Sequence, residues 1–198
     1  MLNCYALVML PYVALFRKEL TVPHLRVETI DNINFSELEK KGFCGIVYDK
    51  DNTLTLPHSY ELHPRVKNAF EKSKNIFGDA VAIFSDGVGT KYDSGGADLL
   101  EKRLEVPVIR HRILKPCGAG YIERHFKCEG KYLVMIGDSI LDVVLGNRSG
   151  MLTIKTEPLS NYTHNFCEHI LRRSGPSLRK LLRCTKGPLP HGILNAIK

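Results

Sequence analysis

Apolar residues along the chain gather in short, nearly continuous runs, and several of these runs are closed by a polar residue. GIVY at 45–48 ends at Asp49, AVAIF at 80–84 ends at Ser85, and YLVMIG at 132–137 ends at Asp138. VPVI at 106–109 and LTIK at 152–155 are two more runs of the same kind. Runs this short and this uniformly apolar mark strands buried on both faces, as in a parallel sheet. Between them the spacing turns helical. Val66, Ala69, Phe70 and Phe77 share one helical face, with Pro64 suited to a first turn. ADLLEKRL at 97–104 predicts a second helix, the segment from Pro116 to Phe126 a third, and DVVLGNRSG a short fourth that Gly150 stops. This alternation predicts an α/β domain, a Rossmann-like doubly wound parallel sheet. In such sheets ligands bind beyond the carboxyl ends of the strands. Asp49, Ser85 and Asp138 are therefore expected along one ligand-facing edge.

The two ends differ from this middle. Residues 1–16 carry no charged side chain, and Arg17 and Lys18 follow directly. Sixteen residues are short for a membrane span, which needs about 20, and Pro11 is expected to interrupt a helix. No basic residue precedes the apolar run as in a secretory signal, and no Arg-rich presequence is visible. Two readings stay open: an interfacial anchor whose basic end meets phosphate headgroups, or a helix packed on the domain's own core. In the tail, Leu178, Leu181 and Leu182 fall on one helical face among Arg179, Lys180 and Arg183. Such a helix can lie on anionic lipid, although a solvated surface helix is the commoner use of the pattern.

Composition narrows the picture only a little. The chain has 198 residues, enough for one domain with a real core, and 25% of them are charged. The formal charge is +7, which suits a phosphate-bearing partner without choosing one. From Glu157 onward seven basic residues face two acidic ones, so most of the excess lies in the tail. The six cysteines form no C-x-x-C pair or zinc-ligand set and are read as reduced thiols.

The candidate chemistry lies at the strand ends. In YDKDNTLT, Asp49 and Asp51 follow a buried strand, and two nearby carboxylates repel unless a cation or proton lies between them. Magnesium, a hard oxygen-seeking ion, resolves that repulsion. In GDSILD, Asp138 and Asp142 follow another strand, with Asp142 opening a helix whose dipole favours it. Four carboxylates can hold one magnesium ion and leave one as a nucleophile. Ser85 and the Asp86–Gly87 backbone are placed to donate to phosphate oxygens. Lys115 offers a fixed positive charge ahead of Pro116, at an expected helix start and hence an anion site. Each piece alone is weak; in this order, each after a strand-like run, they point together to phosphoryl transfer.

These residues resemble the haloacid dehalogenase (HAD) superfamily. DKDNT matches its first motif, Ser85 its second, Lys115 its third, and Asp138 with Asp142 its fourth, over residues 45–155. The closer likeness is to phosphatidylglycerophosphate phosphatases of the mitochondrial, cardiolipin-pathway type and their bacterial relatives. It is carried by YDKDNTLTLPH at 48–58, SDGVGT at 85–90 and LEKRLEVPVIRHRILKPCG at 100–118, with the apolar-to-basic front and VPHL at 22–25 resembling that family's lead-in. Two positions depart from it. Asp86 stands where the family usually has Asn, and the acids of the fourth motif are one residue closer than in close relatives. The resemblance implies a HAD fold, with Asp49 as nucleophile, Asp51 as general acid and base, and Thr53, Ser85, Asp86 and Lys115 toward the phosphate. It implies Mg2+ held by Asp49, the Asp51 backbone carbonyl and Asp138, with Asp142 orienting the metal's waters or Lys115.

The implied activity is removal of the terminal phosphate of phosphatidylglycerophosphate, giving phosphatidylglycerol for cardiolipin synthesis. The expected place is the matrix side of the mitochondrial inner membrane, by peripheral association. About 35 residues separate motifs one and two and about 50 separate motifs two and four, which leaves no room for a large cap domain. An open site suits a lipid headgroup. The corresponding division is 1–40 as a membrane-associating lead-in, 41–160 as the HAD phosphatase core, and 161–198 as a basic helical extension packed on or beside the core. Arg110, His111 and Arg112 are candidates for a second phosphate contact, or merely exposed polar residues. The alternative is a soluble HAD phosphatase acting on a sugar phosphate, nucleotide or nucleic-acid end, with nucleic acid not expected as a binding partner; a non-enzymatic adaptor fits poorly with every catalytic position filled. Deleting residues 1–16 is expected to impair lipid turnover and not hydrolysis of a small chromogenic phosphate.

Overall fold

Alternate residues of the buried strands point to opposite sides of one sheet, and each side finds its own helices. The computed structural model describes residues 3–161 and 187–195. Strands β2 (Gly45–Tyr48) and β4 (Leu133–Gly137) are buried at every position and pair in parallel at the centre. β3 (Val81–Ile83) lies beside β2, β5 (Leu152–Thr156) beside β4, and β1 (Leu25–Val27) beside β5, all in parallel. The order is β1-β5-β4-β2-β3.

On one face, Ile46, Tyr48, Ile83, Val134 and Ile136 meet Phe35 of α2 (Phe35–Lys40), Phe70 of α3 (Lys67–Phe77) and Leu100 of α4 (Gly96–Leu104). On the other, Val47, Ala82, Leu133 and Met135 meet Ile122 of α5 (Ala119–Phe126) and Leu145 of α6 (Ile140–Arg148). Each such aliphatic or aromatic side chain contributes about 1.5–3 kcal/mol by leaving water. This is the doubly wound, Rossmann-like α/β arrangement expected from the sequence. Among the described residues no separate cap stands over the sheet.

Three local expectations change. VPVI at 106–109 makes a single parallel bridge, Ile83 to Val108, rather than a strand. Pro107 has no N–H to extend the ladder, and the two remaining bonds run from Ile83 N to Pro107 O and from Ile109 N to Ile83 O. β1 escaped the hydrophobic pattern because Leu25 and Arg26, on the sheet's edge, are exposed. Lys115 does not stand at a helix start: α5 begins four residues later, at Ala119. The leucine–arginine helix read around residues 178–183 lies outside the described residues.

The apolar front forms helix α1 (Cys4–Phe16), which runs through Pro11 instead of stopping there. The carbonyl that loses its helical donor belongs to Leu7, an exposed residue. Ala6, Leu10, Val13 and Ala14 form the buried face. Ala6, Leu10 and Val13 pack with Ile140, Leu141 and Val144 of α6. The opposite face leaves Val8, Leu15 and Phe16 largely exposed, at 71%, 64% and 69%. The packing of this segment on the domain's own core thus accounts for its buried side.

Behind α1 the chain is pinned to β5 by a polar network. His24 N donates to Thr153 Oγ1, and Thr153 N donates to His24 Nδ1. Thr153 Oγ1 donates to Asn147 Oδ1, whose amide donates to the carbonyls of Leu20 and Val22. His24 Nδ1 accepts here, so its protonation would set donor against donor. Burial and the nearby His191 lower the His24 pKa from 6.5 to about 4. The unfolded chain therefore takes up the proton first. The contribution of neutral His24 is complete above pH 6.5 and is lost as pH falls toward 4. In urea unfolding across that window, His24→Asn, which keeps an acceptor at the Nδ1 position, is expected to lose stability with acid less steeply than the parent chain. Equal slopes for the two proteins contradict this assignment.

Candidate functional site

The carboxyl ends of β2 and β4 lie side by side, and the sequence places an aspartate immediately after each. Asp49 N still bonds Ile136 O of β4, and the chain then turns sharply. Lys50 O accepts from the N–H groups of Thr53, Leu54 and Thr55, and Asn52 takes a left-handed backbone, φ 62°. After β4, Ser139 caps α6: its Oγ accepts from Leu141 N, and its own N–H donates to Asp142 Oδ2. Gly137 permits this. A Cβ there would lie 2.2 Å from Asp142 Oδ2. Asp142 can fold back over the strand end only because residue 137 has no side chain.

Asp49, Asp138 and Asp142 are all buried, and one oxygen from each lies within 4.8 Å of the others. Lys115, 3% exposed, reaches them from the loop before α5. Its Nζ is 2.6 Å from Asp49 Oδ1 and 2.6 Å from Asp142 Oδ1. Burial opposes the charge of Lys115, but Asp142, Asp49 and Asp86 outweigh that penalty and raise its pKa above the ordinary lysine value. The Lys115 ammonium thus lies between two of the three buried carboxylates, and the Lys155 ammonium donates to the backbone carbonyl of Asp138. Carboxylate oxygens drawn this close are hard donors of the kind that suit a divalent cation such as magnesium. These three acids can hold a metal.

A cleft of about 240 Å³ opens at this edge, and Asp49, Asp51, Ser85, Asp86, Lys115 and Asp138 are among its lining. Asp51 is held by Lys50, whose Nζ lies 2.5 Å from Asp51 Oδ1. The second Asp51 oxygen stands 3.0 Å from the Cβ position of Gly87. Ser85 Oγ accepts from Gly87 N at 3.2 Å. Asp86 accepts from Lys115 N, and burial together with the charge of Asp49 raises its pKa to about 6, against the opposing pull of Lys115 and Asn3.

Of the residues singled out from sequence, Asp49, Asp51, Ser85, Asp86, Lys115 and Asp138 meet at the cleft. Asp142 lies behind Lys115. Thr53 is turned inward, where its buried hydroxyl accepts from Asp138 N, fixing one strand-end loop to the other. Asp86 is committed as a backbone acceptor. Arg110 is drawn away by Glu101 and Asp98. His111 is buried, with the Ser85 carbonyl 2.9 Å from Nε2 and the Ile113 carbonyl 2.9 Å from Nδ1, and a neutral ring donates to one of the two. Arg112 is exposed.

Sequence reasoning missed two residues here and left the placement of a third open. Lys50 was hidden in the motif's variable position, yet it is 3% exposed beside Asp51. His111, left open between a second phosphate contact and an exposed polar residue, is buried instead, and the two exposed arginines on either side of it hid that. Asn3, at the start of α1, lines the same cleft. Its one available signal was a polar residue inside an otherwise apolar front.

The chain spans about half to three fifths of the length of two curated relatives it matches. One, named phosphatidylglycerophosphate phosphatase 1, chloroplastic/mitochondrial, from Arabidopsis thaliana, is 39% identical over 186 residues, covering 91% of this chain and 53% of the relative. Its Chlamydomonas reinhardtii namesake, chloroplastic, is 38% identical over 161 residues, covering 79% and 60%. A probable phosphatase of Bacillus subtilis is 28% identical over 169 residues, covering 82% of this chain and 94% of its own. No solved structure matches the chain. The mitochondrial PGP phosphatase family matches residues 9–160, a stretch that holds α1 from Met9 onward, the whole sheet and all the strand-end acids. By that match and by 39% identity across most of its length, the chain belongs to the mitochondrial PGP phosphatase family.

Proposed function

We propose that this protein is a magnesium-dependent phosphatidylglycerophosphate phosphatase, releasing the terminal phosphate to leave phosphatidylglycerol for cardiolipin synthesis. The observation that carries the reading is the buried Asp49–Lys115–Asp142 cluster, with Asp138 beside it, at a cleft over which no separate cap stands among the described residues. Asp49, Asp138 and the Asp51 backbone carbonyl would hold the ion, with Asp142 beside Lys115. When bound, magnesium screens the phosphate's charge from the attacking carboxylate.

The chain's own groups supply the rest. Lys115 holds the Asp49 carboxylate in one orientation and neutralises charge gathering on the phosphoryl oxygens. Asp49 forms a bond to phosphorus as the bond to the lipid oxygen breaks, giving an aspartyl-phosphate. Asp51 protonates the departing oxygen, then takes a proton from the water that cleaves the aspartyl-phosphate. Lys50 holds Asp51 on the cleft side. Ser85 faces the phosphate from the end of β3, while Thr53 and Asp86 act by fixing the loops that carry Asp138 and Lys115.

The lipid part of the reading rests on α1. Among the described residues no helix is long and apolar enough to cross a membrane. Six of the large hydrophobic side chains left exposed belong to α1, namely Tyr5, Leu7, Val8, Tyr12, Leu15 and Phe16. Such a face, followed by Arg17 and Lys18, suits peripheral attachment to an anionic membrane. The inner mitochondrial membrane on its matrix side is the location proposed, in keeping with the mitochondrial and chloroplastic names of the relatives.

Phosphate release from phosphatidylglycerophosphate in vesicles, against a panel of soluble phosphoesters, tests the substrate. Preference for the lipid supports the proposal, and preference for a sugar phosphate or nucleotide overturns it. Asp49→Asn is expected to lower turnover by at least about a thousandfold with the fold intact, because the nucleophile is gone. Retained turnover removes Asp49 from that role. Changing Val8, Leu15 and Phe16 together to Ser is expected to abolish vesicle cosedimentation and lipid turnover while hydrolysis of para-nitrophenyl phosphate stays within about twofold. Unchanged cosedimentation contradicts attachment through α1.

A further inference from the structure

Asn3 belongs to the cleft although it precedes the family's matched region. It is the N-cap of α1 and only 4% exposed. Its Oδ1 accepts from Ala6 N at 2.9 Å, which caps the helix. Its Nδ2 donates to Asp86 Oδ2 at 2.9 Å and to the Lys115 carbonyl at 2.8 Å. Asp86 completes a ring by accepting Lys115 N–H on its other oxygen, at 2.9 Å. These three partners settle which end of the Asn3 amide is which: a donor faces the oxygen, and two acceptors face the nitrogen.

Both backbone polar groups of Lys115 are therefore held, the N–H by Asp86 and the C=O by Asn3. The same residue carries its Nζ between Asp49 and Asp142. We infer that Asn3 is a positioning residue for Lys115, and that α1 is a structural part of the catalytic centre as well as a surface element. The inference rests on the phosphatase reading above and adds a residue to it. It also gives a reason for a carboxylate at position 86. Asp86 accepts from both Asn3 and Lys115, whereas an amide bonded to Lys115 through its oxygen would turn a second NH2 against Asn3. Deleting residues 1–16, expected from sequence to spare a small phosphate ester, would also remove this clamp.

The test uses the full chain, para-nitrophenyl phosphate and magnesium, so that membrane attachment plays no part. Asn3→Ser keeps a good N-cap but has no second arm to reach Asp86 and Lys115. Its kcat is expected to fall about tenfold or more, with KM changed less than about threefold, since the lost bonds orient a charge that acts in the transition state. In an Asp86→Ala background the same substitution is expected to cost clearly less, because half the clamp is already gone. Activity is read well below each variant's thermal midpoint, where a purely structural role leaves kcat at the parent value. An unchanged kcat in Asn3→Ser, or equal costs with and without Asp86, overturns the inference. A parent protein that hydrolyses no ester overturns the phosphatase reading itself, and this one with it.

Discussion

A lysine ammonium buried between two carboxylates is the constraint around which the cleft is arranged. Three acids drawn together at the ends of β2 and β4 would push one another apart without a counter-charge. Lys115 supplies one charge, from a loop more than 60 residues away in sequence from Asp49. Removing one partner from such a buried cluster typically costs about 3–5 kcal/mol, because the remaining charge stays out of water. So the loops cannot be arranged independently. Thr53 joins the loop after β2 to the one after β4, Asp86 joins the loop after β3 to Lys115, and Ser139 with Asp142 locks α6 onto the strand end.

The parallel sheet supplies the common edge. Its central strands are apolar on both faces, so the first position able to carry a charge is the one just beyond each strand. That physical rule made the fold and the strand-end acids legible. Uniformly apolar GIVY and LVMIG admit few other roles, and an aspartate directly after each needs a use. What stayed hidden depended on long-range partners. Lys50 drew no reading at all, and Thr53 was implied only as a residue toward the phosphate. His111, between two arginines, was left open between a second phosphate contact and an exposed polar residue. Only tertiary packing shows that Arg110 answers to Glu101 and Asp98 while the His111 ring is buried between the carbonyls of Ser85 and Ile113. β1 was missed for a different reason, since an edge strand of three residues with two exposed has no hydrophobic signature.

Helix α1 shows how one segment serves two demands. Its small and branched residues on one side fit α6, and its larger apolar side chains on the other meet solvent. Its N-cap, Asn3, closes the wall of the cleft at the same time. A surface suited to a lipid interface and a residue bonded to the site's lysine loop thus belong to a single rigid element, about 20 Å long at 1.5 Å per residue.

The most direct measurement of the central claim is the thermal midpoint of the full chain titrated with magnesium, from a chelated baseline, beside Asp138→Asn. If the buried cluster of carboxylates is a divalent-cation site, saturating magnesium raises the midpoint of the parent chain by about 5 °C or more, since a ligand bound only by the folded state adds to its stability. The rise is lost in Asp138→Asn. A midpoint indifferent to magnesium, or an equal rise in the variant, would mean that the three acids at the strand ends do not hold the metal.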